Sequence, residues 1–174
     1  MLSTMINALA AESVCAEAGL DAVTMSAVEM NKVAEYYTAS KAKSYLDEGK
    51  IVIIGGGTGN PYFTTDTATI LRALELEADI AFFAKNTDAV YSDDPDIEKR
   101  KYKDRPLVRY SYLTPEQIIK DELKAIDLSA VYMADEYNMK FALFAMSEPM
   151  NIIAAANGEN PGTTVEKIKR SDIE

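Results

Sequence analysis

The sequence contains no histidine and a single cysteine among its 174 residues. Without histidine the chain cannot build a Ser-His-Asp or Cys-His catalytic site, an HExxH zinc site or a Cys2His2 zinc finger. The lone Cys15 cannot form an internal disulfide, which fits a reducing compartment. No apolar run has the length of a membrane-spanning helix, and the first residues lack a signal-peptide pattern. We therefore expect a cytoplasmic protein with no membrane partner.

Positive charge is also scarce, since 18 Lys and Arg face 28 Asp and Glu and the formal net charge is −10. Binding to nucleic acid depends on Lys and Arg that neutralise phosphates, so this acidic balance argues against a nucleic-acid partner. The fractions of hydrophobic (48%) and charged (26%) residues are those of a folded globular chain, which excludes a disordered one.

Helical and strand-like patterns alternate along the chain. A helix is expected from Leu2 to Ala18, ending at Gly19, and Asn31 is expected to cap a helix that runs to about Asp47. The run Ile51-Val52-Ile53-Ile54 has no polar alternation, as in a strand covered on both faces. Other strands are expected at residues 22–26, 80–84, 107–113, 140–145 and 163–165, and other helices from Thr64, Thr114, Asp127 and Pro149. This alternation predicts an α/β fold with a mainly parallel sheet.

The most informative segment is IVIIGGGTGNPYFTTD, residues 51–66. Glycines directly after a buried strand allow a ligand to approach the backbone closely, because they have no Cβ. The helix that follows presents free N–H groups and a dipole that attract anions. Ligands of open α/β sheets bind at the carboxyl ends of strands, where this loop lies. The segment is therefore a candidate phosphate- or nucleotide-binding loop.

Two well-known nucleotide motifs are excluded by the residues themselves. No Gly-Lys-Ser/Thr follows the glycines, so the loop is not a Walker A loop, and Asn60 breaks the GxGxxG pattern. The alternative is a tight strand-to-helix turn that binds nothing.

Several polar side chains near strand ends are candidate site residues. Asp66 either stabilises a helix N-terminus or organises groups around a transferring phosphate. Lys85 either stabilises developing phosphoryl charge or is a solvated lysine. Asn86, Tyr91 and Asp94 form a loop that could cover a purine and ribose, with surface packing as the alternative for Tyr91.

Three segments together resemble the bacterial uridylate kinases, which belong to the amino acid kinase fold. They are TGNPYFTTD (58–66), AKNTDAVYSDDP (84–95) and GENPGT (158–163). The resemblance covers essentially the whole chain and implies a three-layer α/β/α fold. It also implies phosphoryl transfer from ATP to UMP, giving UDP in pyrimidine nucleotide biosynthesis, with Mg²⁺ accompanying ATP.

The resemblance also assigns residues. UMP would be bound by Thr58, Gly59, Asn60, Pro61, Tyr62, Phe63, Thr64 and Thr65. Asp66 would organise the catalytic centre, and either Lys85 or Asn86 would occupy the family position after the strand. Asn86, Tyr91 and Asp94 would contact ATP. Ala89 stands where the family usually has glycine, so the turn that contains it is expected to differ.

The family's Lys-x-Ser-Gly-Glu phosphate loop and its second glycine loop are not found in this sequence. We therefore expect residues 1–174 to form one partial amino acid kinase domain, with a mixed-charge tail at about 167–174, and to be inactive alone. A non-catalytic nucleotide-binding remnant and another small-molecule kinase of the same fold are the alternatives. The family assembles as hexamers, so a homo-oligomer is expected, and an exposed strand edge and apolar face predict self-association.

Overall fold

A computed structural model describes residues 2–96 and 98–167 of the chain. The tail expected at residues 167–174 therefore lies, apart from Lys167, outside the described residues. The chain divides into two compact units, residues 1–77 and residues 78–174. No helix among the described residues is both long enough and apolar enough to cross a membrane.

The first unit is built on a three-stranded parallel sheet, in which β1 (Ala22–Ser26) lies between β2 (Glu35–Tyr36) and β3 (Ile51–Gly55). In register, Ala22 lies opposite Ile51 and Ser26 opposite Gly55, so β1 and β3 end at the same level. Because parallel strands that end together deliver their following loops to one edge, the turn after β1 meets the glycine loop after β3. The elements are α1 (Leu2–Glu17), β1 (Ala22–Ser26), β2 (Glu35–Tyr36), α2 (Ala39–Asp47), β3 (Ile51–Gly55) and α3 (Thr65–Glu75).

The predicted first helix and its stop signal are confirmed. Gly19 has a φ of 75°, and its N–H donates to the Ala16 carbonyl while the N–H of Leu20 donates to that of Cys15. This pattern is a Schellman-type ending, for which glycine is the favoured residue. Only two side chains of α1 are buried, Met5 and Ala8.

The helix predicted to begin at Asn31 was wrong. Residues 31–33 form a turn, and the Asn31 amide donates to the Glu29 carboxylate instead of capping a helix. The chain then pairs with β1 as β2, and α2 begins only at Ala39 with Thr38 as its N-cap. Pairing with a neighbouring strand satisfies the backbone here, which local capping rules cannot foresee.

The expectation that residues 51–54 are covered on both faces was also wrong for part of the strand. Ile51 is 42% exposed, and Val52, Ile53 and Ile54 are half-buried. Since β3 is an edge strand of its three-stranded sheet, only one of its sides has a strand partner there.

A polar cluster joins α3 to the core of the first unit. Tyr37 is buried with Met25 and Ala42, and its hydroxyl donates to the Glu75 carboxylate over 2.7 Å. Arg72 lies with its guanidinium carbon 4.1 Å from the centre of the Tyr37 ring and donates to the same carboxylate over 2.6 Å. Burial and the hydrogen bond to Glu75 raise the pKa of Tyr37 to about 12.

The second unit contains a four-stranded sheet of order β4-β8-β9-β7 and a separate pair, β5-β6. Strands β4 and β8 are parallel, as are β7 and β9, whereas β8-β9 and β5-β6 are antiparallel. The elements are β4 (Ala81–Lys85), β5 (Val90–Tyr91), β6 (Arg109–Tyr110), β7 (Tyr112–Leu113), α4 (Pro115–Lys120), α5 (Leu128–Glu136), β8 (Phe141–Ala145), α6 (Met150–Ala156) and β9 (Thr163–Val165). The mixed α/β fold with mainly parallel pairing is therefore confirmed.

The single strand predicted at residues 107–113 is divided into two. Arg109–Tyr110 pairs with β5 and Tyr112–Leu113 with β9, so the chain changes sheets at Ser111. The Ser111 carbonyl accepts hydrogen bonds from the Thr164 N–H and the Asn160 side-chain amide. These two long-range bonds are the physical reason for the break.

The helix starts of this unit follow the sequence closely. Thr114 and Gln117 form a reciprocal capping box with Pro115 in the first turn of α4. Helix α5 begins after Asp127 and α6 after Pro149, as expected.

Gly162 packs against the backbone of the buried strand β8 in the core of the second unit. Phe141, Leu143 and Phe144 of β8 are almost wholly buried. A Cβ added at Gly162 would overlap the Leu143 carbonyl oxygen and lie 2.8 Å from the Asp88 carbonyl oxygen. Because both neighbours are backbone atoms, neither can rotate out of the way, and only glycine fits.

Substitution of Gly162 by alanine tests this packing. We expect Gly162→Ala to lower the free energy of unfolding by about 3 kcal/mol, because the new methyl displaces a core strand. Gly158→Ala is the matched control, since no atom lies within 4 Å of its added Cβ and only its φ of 87° opposes alanine. That strain costs about 1 kcal/mol. Urea denaturation measures both, and equal losses would contradict the packing argument.

Because the Tyr37 hydroxyl is buried, its ionisation makes the stability of the fold depend on pH. A tyrosine with a pKa raised to about 12 in the folded state stabilises the fold below its ordinary pKa of 10, and this contribution is lost between pH 10 and 12. We expect ultraviolet difference titration of wild type against Tyr37→Phe to reveal one phenol that ionises near pH 12. Tyr62→Phe, which removes a fully exposed ring, is the control. A phenol missing from Tyr37→Phe that ionises near the ordinary pKa of 10 would contradict the burial of Tyr37.

Candidate functional site

The glycine loop, residues 55–59, is shaped by the backbone that follows β1. A Cβ on Gly59 would lie 2.5 Å from the Ala27 carbonyl oxygen, and one on Gly56 would lie 3.3 Å from the Ala27 nitrogen. Both glycines also have positive φ, 84° at Gly56 and 79° at Gly59. Gly57 has a φ of 66° but no atom within 4 Å of its added Cβ.

This geometry refines the reason for the glycines. The sequence analysis attributed them to the close approach of a ligand, whereas Gly56 and Gly59 are required by packing against Ala27. Gly57 alone combines a left-handed backbone with open space. A ligand that approaches this backbone closely therefore has room at Gly57.

Three further contacts hold the loop in place. The Ala27 N–H donates to the Gly55 carbonyl over 2.9 Å, and the Gly56 N–H donates to the Thr4 hydroxyl of α1 over 2.9 Å. The Arg72 guanidinium of α3 donates to the Gly57 carbonyl over 3.2 Å. The loop is thus tied to a strand end and to two helices of its own unit.

The predicted UMP-binding segment continues from this loop as a turn that is exposed from Asn60 onward. The Thr58 hydroxyl accepts from the Asn60 N–H over 3.1 Å, and the Asn60 side-chain amide reaches the Thr58 carbonyl at 3.4 Å. Tyr62 has a φ of 70° and is fully exposed, and Phe63 is 56% exposed. The remaining members of the segment, Gly59, Pro61, Thr64 and Thr65, lie in the same continuous stretch, which runs directly into α3.

The segment ends on a helix N-terminus that carries a buried acid. Thr64 caps α3 by accepting the Thr67 N–H over 3.3 Å, and Thr65 is the first helical residue and is exposed. Asp66 follows in the first turn with only 8% of its surface exposed. The helix dipole and first-turn N–H groups stabilise a carboxylate there.

In the second unit, Lys85 ends β4 and its ammonium is anchored internally. Its Nζ donates to the Ala125 carbonyl over 3.0 Å and lies 5.8 Å from the centre of the Phe83 ring. Asn86, the next residue, is exposed. Because this hydrogen bond holds the ammonium in place, Lys85 is not the freely solvated lysine that was one of its two predicted roles.

Tyr91 belongs to a hydrogen-bonded group that the sequence analysis missed. Its hydroxyl donates to Asp88 over 2.9 Å, and Arg109 donates to the other Asp88 oxygen over 3.0 Å. Burial opposes ionisation of Asp88, but the hydrogen bonds from Arg109 and Tyr91 outweigh it and lower the pKa of the carboxyl. Burial and the bond to Asp88 raise the pKa of Tyr91. The Asp-x-x-Tyr spacing is the only local signal, because Arg109 is distant in sequence.

Asp94 lies on a turn organised by its neighbour. Its N–H donates to the Asp93 carboxylate over 2.8 Å, and its own carboxylate accepts the Asp96 N–H over 2.9 Å. Asp93 also accepts the N–H groups of Lys101 and Tyr102. The Asp93 carboxylate thus closes the loop from residue 93 to residue 102, a role that the sequence analysis did not identify.

Ala89 fits the turn in which the family resemblance predicts glycine. It is buried and does not have positive φ, so its Cβ is accommodated without backbone strain. Its carbonyl accepts from the Thr87 hydroxyl over 3.0 Å. The expected departure at this position is therefore compatible with an ordered turn.

The net negative charge of the chain conceals one cluster of basic residues. Residues 99–105 read KRKYKDR and contain five basic side chains in an otherwise acidic protein. Several are engaged locally, since Lys99 pairs with Asp96, Arg100 donates to the Asp94 carbonyl, and Arg105 packs on the Tyr102 ring. The net charge of −10 therefore does not reveal the local excess of positive charge at residues 99–105.

The acidic and cysteine side chains of the described residues are too far apart to form a metal site by themselves. Among residues 2–96 and 98–167, no group of three or more acidic, cysteine or histidine residues could hold an ion. An open cavity of about 740 Å³ beside β2 is lined by none of the predicted site residues; its lining comprises Asn31, Glu35, Tyr36, Thr38, Ser40 and Lys41.

The chain matches the family model described as "Amino acid kinase family" over residues 1–144. It is 41% identical to the uridylate kinase of Azorhizobium caulinodans and 42% identical to that of Bradyrhizobium diazoefficiens, each over 165 residues. Each alignment covers 95% of this chain and 67% of the relative.

The comparison with solved structures also finds UMP kinases. The UMP kinase of Bacillus anthracis matches with a TM-score of 0.87 and 30% identity over 95% of this chain and 66% of its own. The UMP kinase of Ureaplasma parvum matches with a TM-score of 0.86 and 30% identity over 96% and 69%. The chain thus spans about two-thirds of the length of these relatives. It belongs to the amino acid kinase family, among relatives that are uridylate kinases.

Proposed function

We propose that this chain carries the UMP- and ATP-binding part of a uridylate kinase, which transfers the γ-phosphoryl group of ATP to UMP and forms UDP. The observation that carries the proposal is the segment 58–65, which is exposed from Asn60 onward and leads from a backbone-packed glycine loop into the N-terminus of α3. The 41% identity to a uridylate kinase over 95% of the chain supports the choice of substrate.

On the UMP side, the chemistry of the segment suits a nucleoside monophosphate. Thr58, Asn60 and Thr65 supply hydroxyl and amide groups that can donate and accept hydrogen bonds, as a uracil edge requires. The first-turn N–H groups of α3 suit a phosphate. Asp66 is buried at the same helix start, and we assign to it the organisation of the reacting groups.

On the ATP side, Tyr91 supplies a flat ring whose hydroxyl is fixed by Asp88 and Arg109. Asn86 and Asp94 supply amide and carboxylate groups on neighbouring loops for the nucleoside. Lys85, held by the Ala125 carbonyl, would place its charge where phosphoryl oxygens become more negative.

Magnesium is proposed to enter with ATP, held chiefly by phosphate oxygens and water. The 174 residues contain no Lys-x-Ser-Gly-Glu segment. Because phosphoryl transfer depends on cations that position the triphosphate, we expect the isolated chain to bind nucleotides but to transfer phosphate slowly.

Self-association is a further part of the proposal. Leu2, Ile6 and Val14 of α1 are 73%, 71% and 64% exposed. Exposed apolar side chains of this size are typical of surfaces that pair with another copy. We infer a homo-oligomer that functions in pyrimidine nucleotide biosynthesis in the cytoplasm.

Substitution of Asn60 tests the UMP site. We expect Asn60→Ala to weaken UMP binding about tenfold in isothermal titration calorimetry, because an amide that contacts the nucleotide is lost. Asn31→Ala is the matched control, since Asn31 is also exposed and bonds only locally to Glu29. Failure of the wild-type chain to bind UMP, or equal affinities for the two variants, would overturn the assignment.

The rate of phosphoryl transfer tests the catalytic half. With ATP, UMP and Mg²⁺, we expect UDP formation by the 174-residue chain to be at least about a hundredfold slower than by the Azorhizobium caulinodans enzyme, since the lysine-bearing phosphate loop is not among its residues. Thin-layer chromatography of labelled nucleotides measures both rates. Comparable rates would contradict the expected need for that loop.

A further inference from the structure

Arg72 makes contacts that join the glycine loop to the buried side of α3. Its side chain is only 14% exposed, although arginine is seldom buried without partners. One guanidinium nitrogen donates to the Glu75 carboxylate over 2.6 Å and another to the Gly57 carbonyl over 3.2 Å. The flat face of the group lies over the Tyr37 ring.

The guanidinium is held by this whole set of contacts together. Tyr37 and Arg72 both donate to the same oxygen of Glu75, so the ring, the carboxylate and the guanidinium fix one another. The Arg72 Nε is buried and has no hydrogen-bond partner among the described residues. Leaving this donor unsatisfied costs free energy, which indicates that the position of the group is determined by its other contacts.

The bond to Gly57 fixes the orientation of one particular peptide group. The peptide between Gly57 and Thr58 is trans and planar, so its N–H points opposite to its carbonyl. Because Arg72 holds the carbonyl on its own side, the Thr58 N–H is directed away from Arg72. A cationic donor on the carbonyl also polarises the peptide and makes its N–H a stronger donor.

We infer that Arg72 is a positioning residue for UMP: it orients the Gly57–Thr58 peptide so that the Thr58 N–H donates to the bound nucleotide. The inference rests on the proposed function, since it names UMP as the ligand of this loop. Gly57 is the loop glycine with open space beside it, so the peptide that Arg72 orients is the accessible one. Arg72 itself need not touch UMP.

A merely structural role would have different consequences. If Arg72 only anchored α3, its loss would lower stability as any broken core contact does and would leave the loop peptide unchanged. Tyr37→Phe provides that comparison, because it removes the bond between the Tyr37 hydroxyl and Glu75 but leaves Arg72 and Gly57 intact. Lys43→Met removes one positive charge from an exposed pair in the same unit and controls for charge.

The experiment combines amide NMR of the ¹⁵N-labelled 174-residue chain with calorimetric titration of UMP. We expect Arg72→Met to shift or broaden the Thr58 and Gly59 amide signals and to weaken UMP binding about tenfold, the value of one hydrogen bond with a charged partner. Arg72→Lys should show a smaller effect of the same kind, because a single ammonium cannot reach both Glu75 and Gly57 in one geometry. Tyr37→Phe should change these signals and the affinity less than Arg72→Met does, because the bond from Arg72 to Gly57 remains, and Lys43→Met should keep the wild-type values.

The outcomes separate this inference from the proposed function. Unchanged Thr58 and Gly59 signals in Arg72→Lys, or loop changes of equal size in Tyr37→Phe, would overturn the positioning role whether or not UMP binds. If wild type does not bind UMP, the proposed ligand fails, and changed loop signals in Arg72→Lys would then support only orientation of the peptide. Arg72→Lys keeps the charge and most of the packing volume, so it serves if Arg72→Met does not fold.

Discussion

The contact between the glycine loop and the backbone at Ala27 is the constraint on which the candidate site depends. Gly59 approaches the Ala27 carbonyl so closely that any side chain at that position would overlap it. The approach is possible because β1 and β3 are parallel and in a register that ends both strands together. From that fixed point the segment 58–65, exposed from Asn60 onward, leads to α3, which sets where its polar groups lie.

In the second unit, too, a glycine allows two backbone segments to pack closely. Gly162 packs on the backbone of Leu143 and Asp88, and the Asp88 side chain in turn holds Tyr91 and Arg109. In each unit a glycine thus allows two backbone segments to meet, and an arginine fixes a polar group beside them. Arg72 fixes a carbonyl and Arg109 a carboxylate. Packing thus fixes the backbone at each glycine, and hydrogen bonds from an arginine hold the Gly57 carbonyl and the Asp88 carboxylate in place.

The sequence predicted those features whose causes are local. Gly19 ends α1 and Thr114 caps α4 through bonds to residues within a few positions, and both were predicted. The start of α2 and the division at Ser111 depend on strands that pair from elsewhere in the chain, so local patterns could not show them. The candidate loop was found from its glycines and threonines, but its supports were not, because Arg72, Ala27 and Thr4 are separated from it in sequence. The roles of the predicted UMP- and ATP-binding residues remain predictions.

We propose the glycine loop and the start of α3 as the binding site for UMP. Titration of UMP into the ¹⁵N-labelled chain, followed through assigned backbone amide signals, tests it most directly. We expect the largest shifts at residues 57–66 and only small effects on the strand residues of β1 and β3. Saturable binding whose largest shifts fall outside residues 57–66, for instance at the cavity beside β2, would contradict it.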